Sequence, residues 1–220
     1  MTRGAADLKI RVDLREAWAA IRDQGARSAC LACAASDAHA HAHERRRPLS
    51  AEFLFYHAGQ LMPRRDVTAG LTLGSVDAAL KRHGQPDEEE WPYSTVPPNP
   101  WTPPAVTHRW YGSLNAPSAD VPTIVKTIES RQPVVLGVKL TAEFLGFTTA
   151  PFIVPAAGHG FGGHAVLGVG IADYAPLGEL ILIRNSWGPT WGDQGHAWLP
   201  TDYLHDKLIG YRTVAPGNPP

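Results

Sequence analysis

The chain contains two cysteines, Cys30 and Cys33, and the first lies where a thiol gains reactivity. Residues 28–46 are rich in alanine and Ser28 is a suitable N-cap, so the pattern predicts a helix whose first turn holds Cys30. The positive end of a helix dipole stabilises a thiolate, and a nearby imidazolium stabilises it further. A cysteine is more often a small buried apolar residue, so the hypothesis of a nucleophile depends on its partners in the sequence.

Three short segments contain the residues that could work with this thiol. The first, RDQGARSAC, contains Gln24 and ends at Cys30. The second, GGHAVLGVG, places His164 in an apolar run, and the third, RNSWGPTWGDQG, places Asn185 before Ser-Trp-Gly. Taken alone, such a histidine is usually a hydrogen-bonded core residue and such an asparagine a turn residue. Together, in the order cysteine, histidine, asparagine, they indicate nucleophilic catalysis.

The three segments resemble the papain family of cysteine peptidases, in which the histidine and asparagine follow the cysteine by roughly 130 to 150 residues. The resemblance covers about residues 14–203, and the stretch GLTLGSVDAALKRHGQPDEEEWPY looks like that of bacterial members. It implies that Cys30 is the nucleophile and His164 the general acid and base. It also implies that Asn185 orients the histidine and that Gln24 donates to the oxyanion.

The same resemblance implies a set of substrate-binding residues. Gly70 stands where the family uses a glycine backbone to pair with an extended substrate. Gly163 and Ala165 flank the histidine near the second subsite, and Trp187 would shield the bond between histidine and asparagine from water. The partner implied is a peptide or protein substrate.

Two positions depart from the family pattern. Family members commonly have a disulfide-forming cysteine three residues before the nucleophile and an aromatic residue directly after it, where this chain has Arg27 and Leu31. The missing disulfide fits a cytosolic enzyme. The missing aromatic residue leaves open how the helix of the nucleophile packs.

Histidines recur in the run AHAHAHE at residues 38–44. His39 and His43 lie one helical turn apart, which is a weak signal for a metal site. A solvated helix face is the better interpretation, and we expect neither a metal nor another cofactor.

Helical patterns fill the first half of the chain, and runs rich in β-branched residues fill the second. Between them, six prolines at residues 91–105 exclude a helix interior or a central strand, so this segment is a connector. We predict helices at residues 28–46, 50–60, 75–83 and from Asp120 and Pro122 onward, strands at 133–140, 164–172 and 179–186, and an irregular tail at 215–220.

This order indicates an α+β fold. With the resemblance, it predicts one papain-like unit over residues 1–220. A helical left subdomain (14–105) would carry the nucleophile, and a β-barrel-like right subdomain (106–214) would carry the histidine and asparagine. The active-site cleft would lie between them.

Composition narrows the classes of function. Hydrophobic residues make up 44% and charged residues 19%, which is typical of a folded globular chain. A formal charge of -1 disfavours nucleic acid as a partner, and the apolar runs are too short for a membrane span. The N-terminus lacks the apolar segment of a signal peptide, so we expect a cytoplasmic protein, with delivery into another cell as an alternative.

The family core begins within about a dozen residues of Met1, so we expect no inhibitory propeptide. Confinement, a protein inhibitor, a larger parent polypeptide or delivery into another cell would then restrain the enzyme, and all four alternatives stay open.

Three other functions stay open at this point. The first is a non-catalytic binding module with the papain fold, although such modules usually lose the nucleophile. The second is acyl transfer, which would use the same residues. The third is a thiol redox protein built on the Cys-x-x-Cys pair of Cys30 and Cys33, which would leave His164, Asn185 and Gln24 unexplained.

Overall fold

The computed structural model describes residues 8–116, 120–146 and 150–220, which combine helices with an antiparallel sheet. The expected α+β class is confirmed. In chain order the elements are strand β1 (Leu8–Asp13), helices α1 (Cys30–Ala42), α2 (Ala51–Gln60) and α3 (Leu73–Arg82), strand β2 (Tyr111–Asn115), helix α4 (Val121–Glu129), strand β3 (Val134–Leu140), helix α5 (Ala142–Gly146), strands β4 (Phe161–Tyr174), β5 (Gly178–Arg184) and β6 (His196–Pro200), helix α6 (Thr201–Lys207) and strand β7 (Leu208–Gly217).

The described residues form a seven-stranded sheet in the order β2-β7-β3-β4-β5-β6, with β1 paired to β4. Every pairing between these strands is antiparallel. Consecutive residues of the central strands are apolar and buried. Because side chains alternate between the two faces of a strand, both faces of these strands are lined with apolar residues. The sheet is therefore covered on both sides.

A separate hydrophobic core lies on each face. Helices α1, α2 and α3 contribute to one core, together with the sheet residues Val135, Leu167, Val169, Leu180, Leu182, Trp198 and Val214. Helices α4 and α6 contribute to the other, together with Val134, Leu136, Val138, Val166, Ile171, Ile181, Ile183 and Leu199. Strands β4 and β5 belong to both cores and thus join the two halves of the molecule.

Several local predictions are confirmed. Helix α2 begins after Ser50, whose hydroxyl accepts from the Phe53 N–H at 3.0 Å. Helix α4 begins after Asp120 with Pro122 in its first turn. The predicted strands are β3, β4 and β5. Residues 91–105 contain no helix or strand, as expected of a connector.

Other local predictions are wrong. The N-cap of α1 is Ala29 rather than Ser28, because the Ser28 hydroxyl donates to the Thr68 carbonyl at 2.7 Å instead. Helix α3 starts earlier than residue 75 because Thr72 and Ser75 form a capping box. The tail is partly regular, since β7 extends through Gly217 and pairs with β2.

The interpretation of the histidine run as a solvated helix face is also wrong. Residues 31–40 of α1 are all buried, because the helix packs between α2, α3 and the sheet. The ring of His39 bonds Gln85 at 2.8 Å, and that of His43 bonds the Tyr111 carbonyl at 2.8 Å. Within the described ranges, no group of three or more potential ligands could hold a metal ion.

The boundary predicted between residues 105 and 106 stays a prediction. Strand β1 precedes the predicted helical subdomain in sequence but pairs with β4 in the sheet. Among the residues described, no helix is both long and apolar enough to cross a bilayer.

Candidate active site

Cys30 is the first residue of α1 and is half-buried. The N–H groups of a first helical turn have no partner within the helix, so they are available to a nearby acceptor. The backbone N–H groups of Ala165, Leu31 and Cys30 itself lie close enough to the sulfur to favour its thiolate. Ala165 follows His164, so the sulfur lies beside the β4 segment that carries the histidine.

His164 is buried on β4 and is held by Asn185. Its Nε2 lies 2.7 Å from Asn185 Oδ1, which also accepts from the Ser186 N–H at 2.8 Å. The Ser186 N–H identifies this Asn185 atom as the amide oxygen, which can only accept, so the histidine donates from Nε2. In the neutral ring this leaves the lone pair on Nδ1, which is free to take a proton.

Aromatic residues enclose the hydrogen bond between His164 and Asn185. The Trp187 ring lies over the His164 ring with centroids 4.5 Å apart, and Phe144 approaches edge-on at 6.1 Å. Trp191 stacks on Phe144 at 5.4 Å and meets Trp187 edge-on. These rings exclude water from the face of the histidine and strengthen its bond to Asn185.

Asn185 directly follows β5, and its position depends on the loop that joins β5 to β6. Its backbone N–H donates to the Gly195 carbonyl at 2.9 Å. Gly195 lies at φ +81, and a Cβ there would come within 2.6 Å of Ile21, so the site requires glycine. The loop sequence thereby sets the position of the asparagine.

Gln24 is oriented by Ser186, a residue whose contribution the sequence did not indicate. The Ser186 hydroxyl donates to Gln24 Oε1 at 2.6 Å, and the Gln24 N–H donates to the Ser186 carbonyl at 2.8 Å. The amide group Nε2 therefore points away from Ser186. It donates one hydrogen to the Arg27 carbonyl at 2.8 Å, which leaves the second for a ligand.

The residues expected to bind substrate lie around this centre. Gly70 adopts φ +90, and a Cβ added there would lie 3.6 Å from the Ser28 carbonyl oxygen. Gly163 is exposed beside His164, and Ala165 is buried against the Cys30 sulfur. Gly70 thus lies beside the segment that leads into Cys30, Gly163 adjoins His164, and their binding roles stay predictions.

The model of the papain family cysteine protease matches residues 8–212. The chain belongs to this family. The match covers most of the chain and includes all four residues of the candidate centre.

Curated relatives agree with the family assignment. The chain is 28% identical over 152 residues to a cathepsin L-like peptidase of Aedes aegypti, covering 66% of this chain and 44% of that protein. It is 26% identical over 230 residues to a peptidase C1-like protein of Acanthamoeba polyphaga mimivirus, covering 94% and 72%. It matches a quarter of the length (25%) of the Ambrosia artemisiifolia cysteine protease Amb a 11.0101. The chain thus spans less than half of two of these relatives.

Solved structures share the fold. Xylellain, a cysteine protease from Xylella fastidiosa, superimposes with a TM-score of 0.78 at 20% identity, covering 94% of this chain and 86% of that one. The proform of the Amb a 11 protease superimposes with a TM-score of 0.72 at 21% identity, covering 98% and 66%. At these identities the likeness shows the papain-like fold alone.

The two departures from the family pattern have structural consequences. Leu31, in place of an aromatic residue, is buried in the core of the helical half. Helix α1 packs closely there because six of its thirteen residues are alanines. Arg27, in place of a cysteine, is buried and forms an ion pair with Glu52.

Cys33 faces the core and is fully buried, at 1% exposure. Burial raises the pKa of its thiol to about 12. An inaccessible, protonated thiol is a poor partner in thiol exchange, which argues against the redox function of the Cys-x-x-Cys pair.

Proposed function

We propose that this chain hydrolyses peptide bonds through a thioester between the substrate acyl group and Cys30. The observation that carries the proposal is the bond between His164 Nε2 and Asn185 Oδ1, made beside a half-buried cysteine at a helix N-terminus. It supports Nδ1 as the atom that moves protons. Family membership supports the same reaction class.

In the acylation half, His164 Nδ1 takes the proton of the Cys30 thiol, and the sulfur attacks the carbonyl carbon of the substrate. The carbonyl oxygen becomes an oxyanion. It accepts from the free hydrogen of Gln24 Nε2 and from the Cys30 N–H, which has no partner within the helix. The C–N bond then breaks as His164 returns the proton to the leaving amine, which yields the thioester.

In the deacylation half, His164 Nδ1 takes a proton from water, whose oxygen attacks the thioester carbon. The same two donors hold the second oxyanion. The C–S bond breaks, the carboxylic acid leaves, and the proton returns to the Cys30 sulfur.

Burial favours the neutral forms of Cys30 and His164 in the resting site. Burial raises the pKa of the Cys30 thiol, although three backbone N–H groups oppose the effect. Burial also lowers the pKa of His164 to about 4, although its bond to Asn185 opposes this. No hydrogen bond joins the cysteine sulfur to the histidine ring in the part of the chain described. A thiolate–imidazolium pair must therefore overcome burial at both partners, and its formation stays a prediction.

Incubation of the protein with a peptide library, followed by mass spectrometry of the products, tests the proposal. We expect new C-terminal carboxylates and complementary amines from the wild type. Cys30→Ala should give none, and Cys33→Ala, which removes the other thiol, should cleave like the wild type.

The same experiment distinguishes the other functions. Products in which an added amine replaces the leaving peptide would indicate acyl transfer. Binding of peptides without any product in wild type would indicate a non-catalytic module. Equal products from wild type and Cys30→Ala would remove the cysteine from the chemistry.

A further inference from the structure

Arg27 lies three residues before Cys30, and its guanidinium is buried among a carboxylate, a backbone carbonyl and aromatic rings. Its two terminal nitrogens contact the two Glu52 oxygens at 2.5 and 2.8 Å. One of them also donates to the Ser94 carbonyl at 2.6 Å. This forked contact is specific to arginine, because the ammonium of a lysine presents a single point charge.

Glu52 and the aromatic rings around Arg27 fix the pair in one geometry. The Glu52 carboxylate is fully buried and also accepts from Trp101 Nε1 at 2.6 Å and from the Ser94 N–H at 3.3 Å. The guanidinium carbon lies 4.9 Å from the Phe55 ring centroid, 5.0 Å from that of Tyr93 and 5.5 Å from that of Trp101. A buried ion pair held by several hydrogen bonds and enclosed by three rings is rigid.

This pair is joined to the oxyanion donor through the backbone. The Arg27 carbonyl accepts one hydrogen of Gln24 Nε2 at 2.8 Å, and the Tyr93 hydroxyl donates to the Gln24 carbonyl at 3.0 Å. The loop between Gln24 and Cys30 contains Gly25 at φ +57, so its own backbone is permissive. The Arg27 side chain ties this loop to α2, on which Glu52 lies.

We propose that Arg27 is a positioning residue for the oxyanion site, and that its ion pair with Glu52 aims the free hydrogen of Gln24 Nε2 at the substrate oxygen. The inference rests on the proposed peptidase function and adds to it the part that holds the loop. A disulfide is the usual link in the family at this position, whereas here a charge pair makes the connection.

The test compares kcat and KM for a cleaved peptide with the rate at which iodoacetamide alkylates Cys30. Alkylation forms no oxyanion, so it reports the thiol and not the oxyanion site. We expect Arg27→Met to lower kcat about 10- to 100-fold, because small misplacements of catalytic groups have effects of this size. KM and the alkylation rate should stay within about twofold of wild type.

A double-mutant comparison separates positioning from a general effect on folding. In a Gln24→Ala background, Arg27→Met should lower kcat no further, since the group that it positions is gone. The matched control is Arg45→Met, which removes another arginine that pairs with a carboxylate, Asp87, and lies over a ring, 4.4 Å from the Trp110 centroid. It should leave kcat unchanged.

Arg27→Lys carries the same test if Arg27→Met does not fold. It keeps the charge but loses the forked contact, so its kcat should lie between those of Arg27→Met and the wild type. Three results would overturn the proposal: a wild-type kcat in Arg27→Met or Arg27→Lys, a full additional loss on top of Gln24→Ala, or a parallel fall in the alkylation rate. A wild type without turnover would overturn the proposed peptidase function. An active wild type with unaffected Arg27 variants would overturn only the role proposed for Arg27.

Discussion

Two consecutive side chains, Asn185 and Ser186, orient the two polar groups that the proposed reaction needs. Asn185 Oδ1 holds the histidine ring, and the Ser186 hydroxyl holds the amide of Gln24. The first interaction acts on proton transfer, and the second acts on the oxyanion. A small movement of the loop after β5 would therefore disturb proton transfer and oxyanion binding together.

Iodoacetamide at neutral pH should alkylate Cys30 and leave Cys33 unlabelled. Cys30 is half-buried beside three backbone N–H groups, whereas Cys33 is fully buried and burial raises its pKa to about 12. Peptide mapping by mass spectrometry measures the label at each site. Cys33→Ala should not change the labelling of Cys30, and equal labelling of both thiols would contradict this assignment.

His164 and Asn185 should act as one unit in the measured kinetics. His164→Ala should abolish detectable turnover, and Asn185→Ala should leave a small residual activity, because it removes only the orientation of the ring. The double variant should be no worse than His164→Ala alone. Steady-state kcat/KM values provide the measurement, and full activity in His164→Ala would exclude the histidine from the mechanism.

At the scale of elements, the site depends on contacts between helices and strands that are distant in sequence. Helix α3 is linked to β2 through Asp77, whose carboxylate accepts from the Leu114 N–H at 2.8 Å. The other oxygen of Asp77 accepts from Lys81 Nζ at 2.7 Å, one helical turn further along α3. One carboxylate therefore serves both an exposed ion pair and a contact between elements.

These two interactions should differ in their effect on stability. Asp77→Ala removes a charge-assisted hydrogen bond to the backbone and should lower the free energy of unfolding by about 1 to 3 kcal/mol. Lys81→Met removes only an exposed ion pair and should change it by less than about 0.5 kcal/mol. Urea denaturation of both variants compares them, and equal effects would mean that the contact with β2 contributes nothing.

At the scale of the molecule, a buried ionic cluster joins segments that carry three of the candidate site residues. Asp37 on α1 accepts from Arg22 Nε at 2.7 Å and from Arg184 Nε at 2.8 Å. Arg184 directly precedes Asn185, and Arg22 lies two residues before Gln24. The carboxylate thus ties α1, which begins at Cys30, to the end of β5 and to the segment that carries Gln24.

Replacement of Asp37 by asparagine should strongly destabilise the fold, by about 3 to 5 kcal/mol, because the buried Arg184 guanidinium loses its counter-charge. Arg22 would keep only its ion pair with Glu88. Burial acts to raise the pKa of the Asp37 carboxyl, but Arg22 and Arg184 outweigh it and the pKa is lowered. Its stabilising contribution is therefore present above the unfolded value of about 3.9 and is lost as pH falls through the folded pKa. Urea titrations at neutral and acidic pH should show a smaller difference between variant and wild type at low pH. A constant difference would contradict the assignment.

Buried histidines should make the protein sensitive to mild acid. Burial lowers the pKa of His39 and His164 to about 4, so between about pH 6.5 and 4 the unfolded chain binds more protons than the folded one. Stability is then fully present above about pH 6.5 and declines as pH falls towards 4. The urea midpoint measured across this range tests the prediction. His39→Gln should show a shallower decline than the wild type, and parallel curves would remove His39 from the effect.

The sequence alone determined the family, the α+β class and the four residues of the candidate centre. It could do so because each of the three motifs is a short contiguous segment, so its residues can be recognised without knowledge of the fold. Local signals also located helices α2 and α4, since the capping side chains of Ser50 and Asp120 act within one turn.

Only the tertiary structure decided which side chains meet across long separations in sequence. Ser28 bonds the distant Thr68 instead of capping its own helix, and α1 is buried along its length by elements that its composition does not specify. The partners of Arg27 and Asp37 come from other helices and strands. Such ion pairs have no periodic or local signature in the sequence, because their partners are far apart along the chain. The interaction becomes strong only when the packed core brings the two charges together and excludes water from them.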